Sequence, residues 1–365
     1  MSERTNTSPK AMAQTPVPPP NPGRAPARVS LHIGVLLITT LALMLLAVCV
    51  GADGVRWPST AWSEDGLLRH IVLDIRTPRM LGAWCVGALL GLAGGIAQGL
   101  FRNPLAEPYL LGSASGASLF VALFMLLSAW VLQQERLMDL GWALRLGMTG
   151  AAFIGAGVSV LLTIVLAGGA RRNLQLLLAG VVVGVVMGAA TALIMLMNPN
   201  IMPNMQSFMW GNTAFIGWAS VSLLLLIFIP CMLLSALGAR GLNALALGEL
   251  TASSLGLRLA HFRFFYIVLI ALATGAAVAQ AGLIAFIGLA APHIARGQIS
   301  GNYRLLLPAA AAYGGLLLLL ADVLARILIL PEELPVGIIT ALVGGVYLLV
   351  LMHRRNWSQN AGDAA

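Results

Sequence analysis

Residues 76–108, RTPRMLGAWCVGALLGLAGGIAQGLFRNPLAEP, decide how the chain must be read. Between Arg79 and Arg102 there is no charge. A helix needs about 20 apolar residues to cross a hydrocarbon core of about 30 Å. Gly87, Gly91, Gly95 and Gly99 recur every fourth residue and so share one helical face. Between membrane helices burial from water supplies no drive, and small residues at this spacing let two backbones approach closely. Asn103-Pro104 then breaks the helix. This is a membrane span with a packing stripe, ended by a turn.

Working outward, the same rule gives candidate spans at 31–50, 79–101, 109–131, 144–168, 174–197, 218–238, 264–281, 283–295, 305–328 and 335–352. The fifth repeats the stripe with Gly180, Gly184 and Gly188. The eighth is too short to cross alone, is broken by Gly288 and followed by Pro292, and is read as a partial or tilted segment packed within protein. The fold class is all-α, a polytopic membrane bundle of about ten transmembrane helices. Composition agrees: 59 % of the 365 residues are hydrophobic and 9 % charged, against about 25 % charged in soluble proteins. A soluble enzyme is excluded.

Residues 1–30 hold seven prolines among polar residues and read as a disordered cytoplasmic tail. Residues 31–355 form the membrane domain, and 356–365 a short cytoplasmic tail. The run 31–50 exceeds a signal-peptide core of about 7–15 residues and is expected to remain as the first span. With the N-terminus inside, fourteen basic residues fall on the inner side and seven on the outer. Cytoplasmic loops favour Arg and Lys, so both termini are expected in the cytoplasm. Outside the tail the bias is ten to seven. The scattered Cys49, Cys85 and Cys231 form no metal or disulfide pattern.

The charged chemistry is sparse. Asp322 is the one acidic residue well inside a predicted span, and Arg326, four residues on, lies on the same helical face and could pair with it. An ion-driven carrier would need more buried ionisable groups, and a membrane-embedded enzyme would need a catalytic cluster that His293 does not supply. No phosphate-loop motif occurs, and the single lysine is Lys10 in the tail. If transport is driven by ATP, the motor is another polypeptide.

Four segments go beyond generic membrane sequence: 76–118, 242–257 (LNALALGELTASSLGL), 282–304 (GLIAFIGLAAPHIARGQISGNYR) and 314–344. The combination of R-x-P-R, Q-x-x-x-x-N-P-L-A-E-P, G-L-x-x-P-H and E-L-P-V-G resembles the FecCD-type, BtuC-like permease subunits of bacterial ABC importers for iron-siderophore, heme and cobalamin. The resemblance spans residues 31 to 355. It implies ten helices in the bacterial inner membrane and a second copy, or a paralogous permease, across a two-fold axis. It also implies two cytoplasmic ABC ATPases and a periplasmic binding protein, with lipid around the bundle and no nucleic acid, cofactor or resident metal. A ferric siderophore is the expected cargo, with heme and cobalamin as alternatives.

Residue roles follow from the resemblance. Arg76, Arg79 and Arg326 would meet carboxylates of the binding protein, using the bidentate fit of guanidinium to carboxylate; without the resemblance they would be lipid-anchoring arginines. The loop 242–263, with Leu247, Gly248, Glu249, Leu255 and Gly256, would be two short helices joined at a turn, coupling the chain to the ATPase. Asn103, Pro104, Gly112, Ser113, Ser115, Gly116, Pro292 and His293 are pathway candidates, because irregular backbone at membrane depth is tolerated only against protein or water; close packing is the equal alternative for Gly112, Ser113, Ser115 and Gly116, and a structural role the alternative for His293.

Overall fold

The computed structural model describes residues 24–51, 54–55, 69–134, 141–170, 173–299 and 301–362. Among these are twelve α-helices. In chain order they are α1 (Arg24–Cys49), α2 (Thr77–Phe101), α3 (Ser113–Gln134), α4 (Gly141–Leu166), α5 (Asn173–Met197), α6 (Met202–Trp210), α7 (Trp218–Ala246), α8 (Glu249–Ser254), α9 (Leu259–Ala281), α10 (Ile287–Gln298), α11 (Tyr303–Ile327) and α12 (Val336–Gly362). A π-helical turn, Ile71–Arg76, leads into α2, and a 3-10 turn, Pro108–Leu111, precedes α3. The only strands among the described residues are the pair Val50–Gly51 and Gly54–Val55, antiparallel.

Each predicted span coincides with one helix. Seven described helices are long and apolar enough to cross a membrane; Ser113–Ser128 and Val336–Val350 are shorter apolar stretches. α10, the partial segment, has twelve residues. Its break lies at 282–286, before Gly288, and Phe286 takes a left-handed conformation (φ +68°) where the helix begins. Pro292 does not end α10. The last seven residues of the segment read as tail are helical, since α1 starts at Arg24. Pro26 falls in its first turn, where a missing N–H costs nothing. Residues 1–23, which hold most of that tail, lie outside the described residues, as do Arg171 and Arg172.

α2 is the hub. Its most hydrophobic window is 89 % buried within the protein, against 22 % for α5. The glycine stripe does this. A Cβ at Gly87 or Gly91 would land on the carbonyl oxygens of Gly314 and Ala310, and one at Gly99 would lie 2.7 Å from the Tyr303 ring. α2 and α11 therefore run antiparallel in backbone contact. The α5 stripe is shared differently. Gly180 abuts Leu110 and Gly184 lies near Ser115, while Gly188 has no atom of the chain within 4 Å of such a Cβ.

Candidate functional site

Charge concentrates at two places, one at each end of the bundle. The first joins the start of α2 to the end of α11. Asp322 is fully buried. Its Oδ1 accepts from Arg79 Nε (3.1 Å) and Nη2 (3.0 Å) and from Thr213 Oγ1 (2.5 Å), while Oδ2 pairs with Arg326 Nη2. Arg79 Nη1 reaches both oxygens of Glu333, at 3.0 and 2.8 Å. Arg326 Nη1 donates to the carbonyls of Ala47 (3.0 Å) and Val50 (3.3 Å), and Arg76 Nη1 to those of Val48 (3.1 Å) and Cys49 (3.3 Å). The cluster thus sews α1, α2, α11 and the segments around Thr213 and Glu333 together.

Two of the three arginines expected to dock a binding protein are thus paired within the chain. Arg79 and Arg326 are 8 % and 2 % exposed, and their charge is spent inside the chain. The i, i+4 pairing of Asp322 with Arg326 is present as expected. Sequence reading missed Arg79 and Thr213 as partners of Asp322, and Glu333 as partner of Arg79, because 109 to 254 residues separate the members of these pairs.

The second concentration lies at the opposite end, between α7 and α9. Here the expected two short helices are one. α7 continues to Ala246 and α9 starts at Leu259, so residues 242–263 contain only the six-residue α8 as an independent element. Glycines with positive φ flank it: Gly248 (+122°) and Gly256 (+84°). That conformation is open to glycine and strained for other residues. Leu250 is 88 % exposed and Leu247 and Leu255 project likewise, so the element presents apolar side chains outward. Glu249 pairs with Arg263 at 2.7 Å.

The pathway candidates separate. Asn103 and Pro104 form an exposed turn in which Asn103 Oδ1 accepts from Leu105 N (2.9 Å). Gly112, Ser113 and Gly116 are buried in helix packing. Ser159 Oγ donates to Gly112 O (2.7 Å), Thr163 Oγ1 to Leu111 O (3.0 Å), and Gly116 lies against Gly155. The irregular backbone is satisfied by α4, as the low polarity around it demands. Ser115 is half-buried near Gly184 of α5. Pro292 is buried towards Gly95, and the half-buried His293 stacks edge-on with Tyr347 at 6.0 Å.

Glu107, from the N-P-L-A-E-P motif, was not singled out by sequence. It lies in the connection between α2 and α3, where its Oε1 accepts a long bond (3.4 Å) from Phe286 N at the head of α10. Burial pushes its carboxyl above the ordinary carboxylate range, outweighing that N–H. Pro108 packs on Gly288 and Gln98 Nε2 donates to Leu289 O (3.2 Å), so the two broken segments brace one another. A separate cavity of about 390 Å³ lies among α4, α6, α7 and α9, with Thr149, Asn204, Ser207, Asn212 and Gln280 on its wall.

Residues 37–354 match the family model of the FecCD transport family. The chain belongs to this family. It is a multi-pass membrane permease of the FecCD type. It is 39 % identical over 331 residues to the hemin transport system permease protein HmuU of Yersinia pestis, covering 89 % of this chain and 96 % of that one. It is 35 % identical over 329 residues to the vitamin B12 import system permease protein BtuC of Photorhabdus laumondii subsp. laumondii, covering 89 % and 94 %. Among solved structures, a metal-chelate type ABC transporter in an inward-facing conformation superposes with a TM-score of 0.77. That match has 26 % identity and covers 87 % of this chain and 97 % of the other.

Proposed function

We propose that this FecCD permease is the translocating subunit of an ATP-driven importer in a bacterial inner membrane, with both termini in the cytoplasm, and that it carries an intact metal chelate. The observation that carries the reading is α8: a short helix held out from the bundle between two glycine turns, with Leu250 almost wholly exposed. An apolar projection of this kind at a bundle end fits an apolar cleft on a partner. In this reading the partner is an ABC ATPase, two copies of which serve two permease subunits. ATP-driven closure of the ATPases moves α8, and the helices behind it alternate access to the pathway. The partner permease is a second copy or a paralogue.

For the cargo, the named relatives favour a tetrapyrrole chelate over the siderophore expected from sequence, since their names specify hemin and vitamin B12. Hemin is the first candidate. The opposite end is the proposed face for a periplasmic binding protein. An acidic side chain arriving there would exchange with the half-exposed Glu333 for Arg79 and reach Arg76, which is the least enclosed of the three arginines. Rim charges of this kind govern orientation and encounter rate more than affinity. The test is uptake in proteoliposomes holding the permease, its ATPase and its binding protein. ATP-dependent accumulation of hemin, but not of cyanocobalamin or a ferric hydroxamate, is expected. Accumulation of one of the others reassigns the cargo, and accumulation driven by an ion gradient without ATP overturns the importer reading.

A further inference from the structure

Arg263 is 1 % exposed, yet it lies only four residues into α9 from the turn that follows α8. Its mounting is rigid. Phe262 and Tyr266 flank it on α9 and stack edge-on at 4.8 Å. Both key into α7, where side chains at Gly241 and Gly238 would collide with their rings, and Tyr266 OH donates to Ser235 O at 3.1 Å. From this fixed base the guanidinium reaches out to Glu249, the first residue of α8, whose side chain is 43 % exposed.

α8 has little else to hold its position. Ala252 is its one buried residue, and a methyl group is a small anchor. Gly248 and Gly256 permit backbone rotation on either side. Leu250 and the flanking Leu247 and Leu255 point away from the bundle. A six-residue helix so mounted would swing about the two glycines unless something tied it to the frame.

We propose that the Glu249–Arg263 ion pair is a strut that fixes the pose of α8 on the α7–α9 frame and passes its displacement to α9. The proposal rests on the reading of α8 as the ATPase contact. Both residues are positioning residues, since neither touches cargo or nucleotide. Glu249 therefore faces inward to its own chain while the leucines face the partner.

The test uses the full chain in nanodiscs with its ABC ATPase and no cargo. A nitroxide at Ser253→Cys reports the mobility of α8, and the rate of ATP hydrolysis stimulated by the binding protein reports coupling. Glu249→Gln is expected to increase label mobility and lower stimulation at least fivefold. Arg263→Lys and Glu249→Asp, which keep a pair, should stay within about twofold of wild type. The exchange Glu249→Arg with Arg263→Glu should recover most of both signals. Unchanged mobility and stimulation in Glu249→Gln overturn the strut, and so does an equal loss in the charge-keeping variants. Leu250→Asp reports separately on the underlying reading. It should abolish ATPase binding without altering the mobility of the label in the permease alone. If ATPase binding survives, α8 is not the contact, whatever the pair does.

Discussion

At the scale of single residues, the cluster around Asp322 carries the largest energetic stakes. Removing one partner of a buried ion pair costs about 3–5 kcal/mol, because the remaining charge is left uncompensated, while replacing the whole group with apolar side chains can be neutral. Asp322 pairs with two arginines at once. Asp322→Asn should therefore lower thermal stability in detergent more than Glu333→Gln, whose side chain is already partly wet. A double-mutant cycle on Arg79 and Asp322 should show strong coupling, and independent effects would deny them a shared cluster. Glu107 behaves differently. Its carboxyl is raised by burial, so the folded state favours the neutral form. Its contribution is present below the ordinary carboxylate range and is lost as pH rises through the raised folded value. Glu107→Gln should then gain stability relative to wild type as pH rises through that window. A constant difference in melting temperature across pH would show that the carboxyl does not titrate there.

At the scale of elements, two devices do opposite things with glycine. In α2 the stripe removes side chains so that Gly314 and Ala310 of α11 can touch the backbone. Inserting bulk into a filled interface costs about 1–3 kcal/mol or more, and here the obstacle is backbone. Gly91→Leu should abolish stable expression, whereas Gly188→Leu on α5, with open space around it within the chain, should leave the monomer fold intact. Fluorescence-detected size exclusion distinguishes the two. At Gly248 the glycine supplies a conformation, φ +122° with ψ 154°, that costs other residues of order 1–3 kcal/mol. Gly248→Val should displace α8 and depress stimulated ATP hydrolysis while membrane insertion stays normal; unchanged hydrolysis would separate the turn from coupling. The ten spans and the α2 stripe could be read from sequence because both are local patterns of length and period. α6 could not, since Pro203, Asn204, Gln206 and Ser207 make it too polar for a span. The arginine cluster could not be read either, because pairing across 243 residues leaves no local mark, and an arginine at a span end looks the same whether it faces lipid or a buried aspartate.

At the scale of the whole molecule, the two ion-pair clusters described above lie at opposite ends of the bundle. One end holds the Arg79–Asp322 cluster and the other holds α8 with its Arg263 base. Between them the hub α2 carries no ionised group from Met80 to Phe101. From Met80 to Phe101, α2 is therefore an uncharged shaft between the two clusters. The sequence also holds no phosphate-binding loop motif, and its one lysine is Lys10. On the proposed reading, energy enters at α8 from the partner ATPase. The purified permease alone should hydrolyse no ATP and should not concentrate hemin in vesicles under a proton or sodium gradient. Adding its ATPase should bring hydrolysis, and adding the binding protein should bring accumulation. Leu250→Asp should cancel both gains together, because the same six-residue helix transmits them. Gradient-driven uptake by the lone chain would place the motor within these helices and overturn this division of labour.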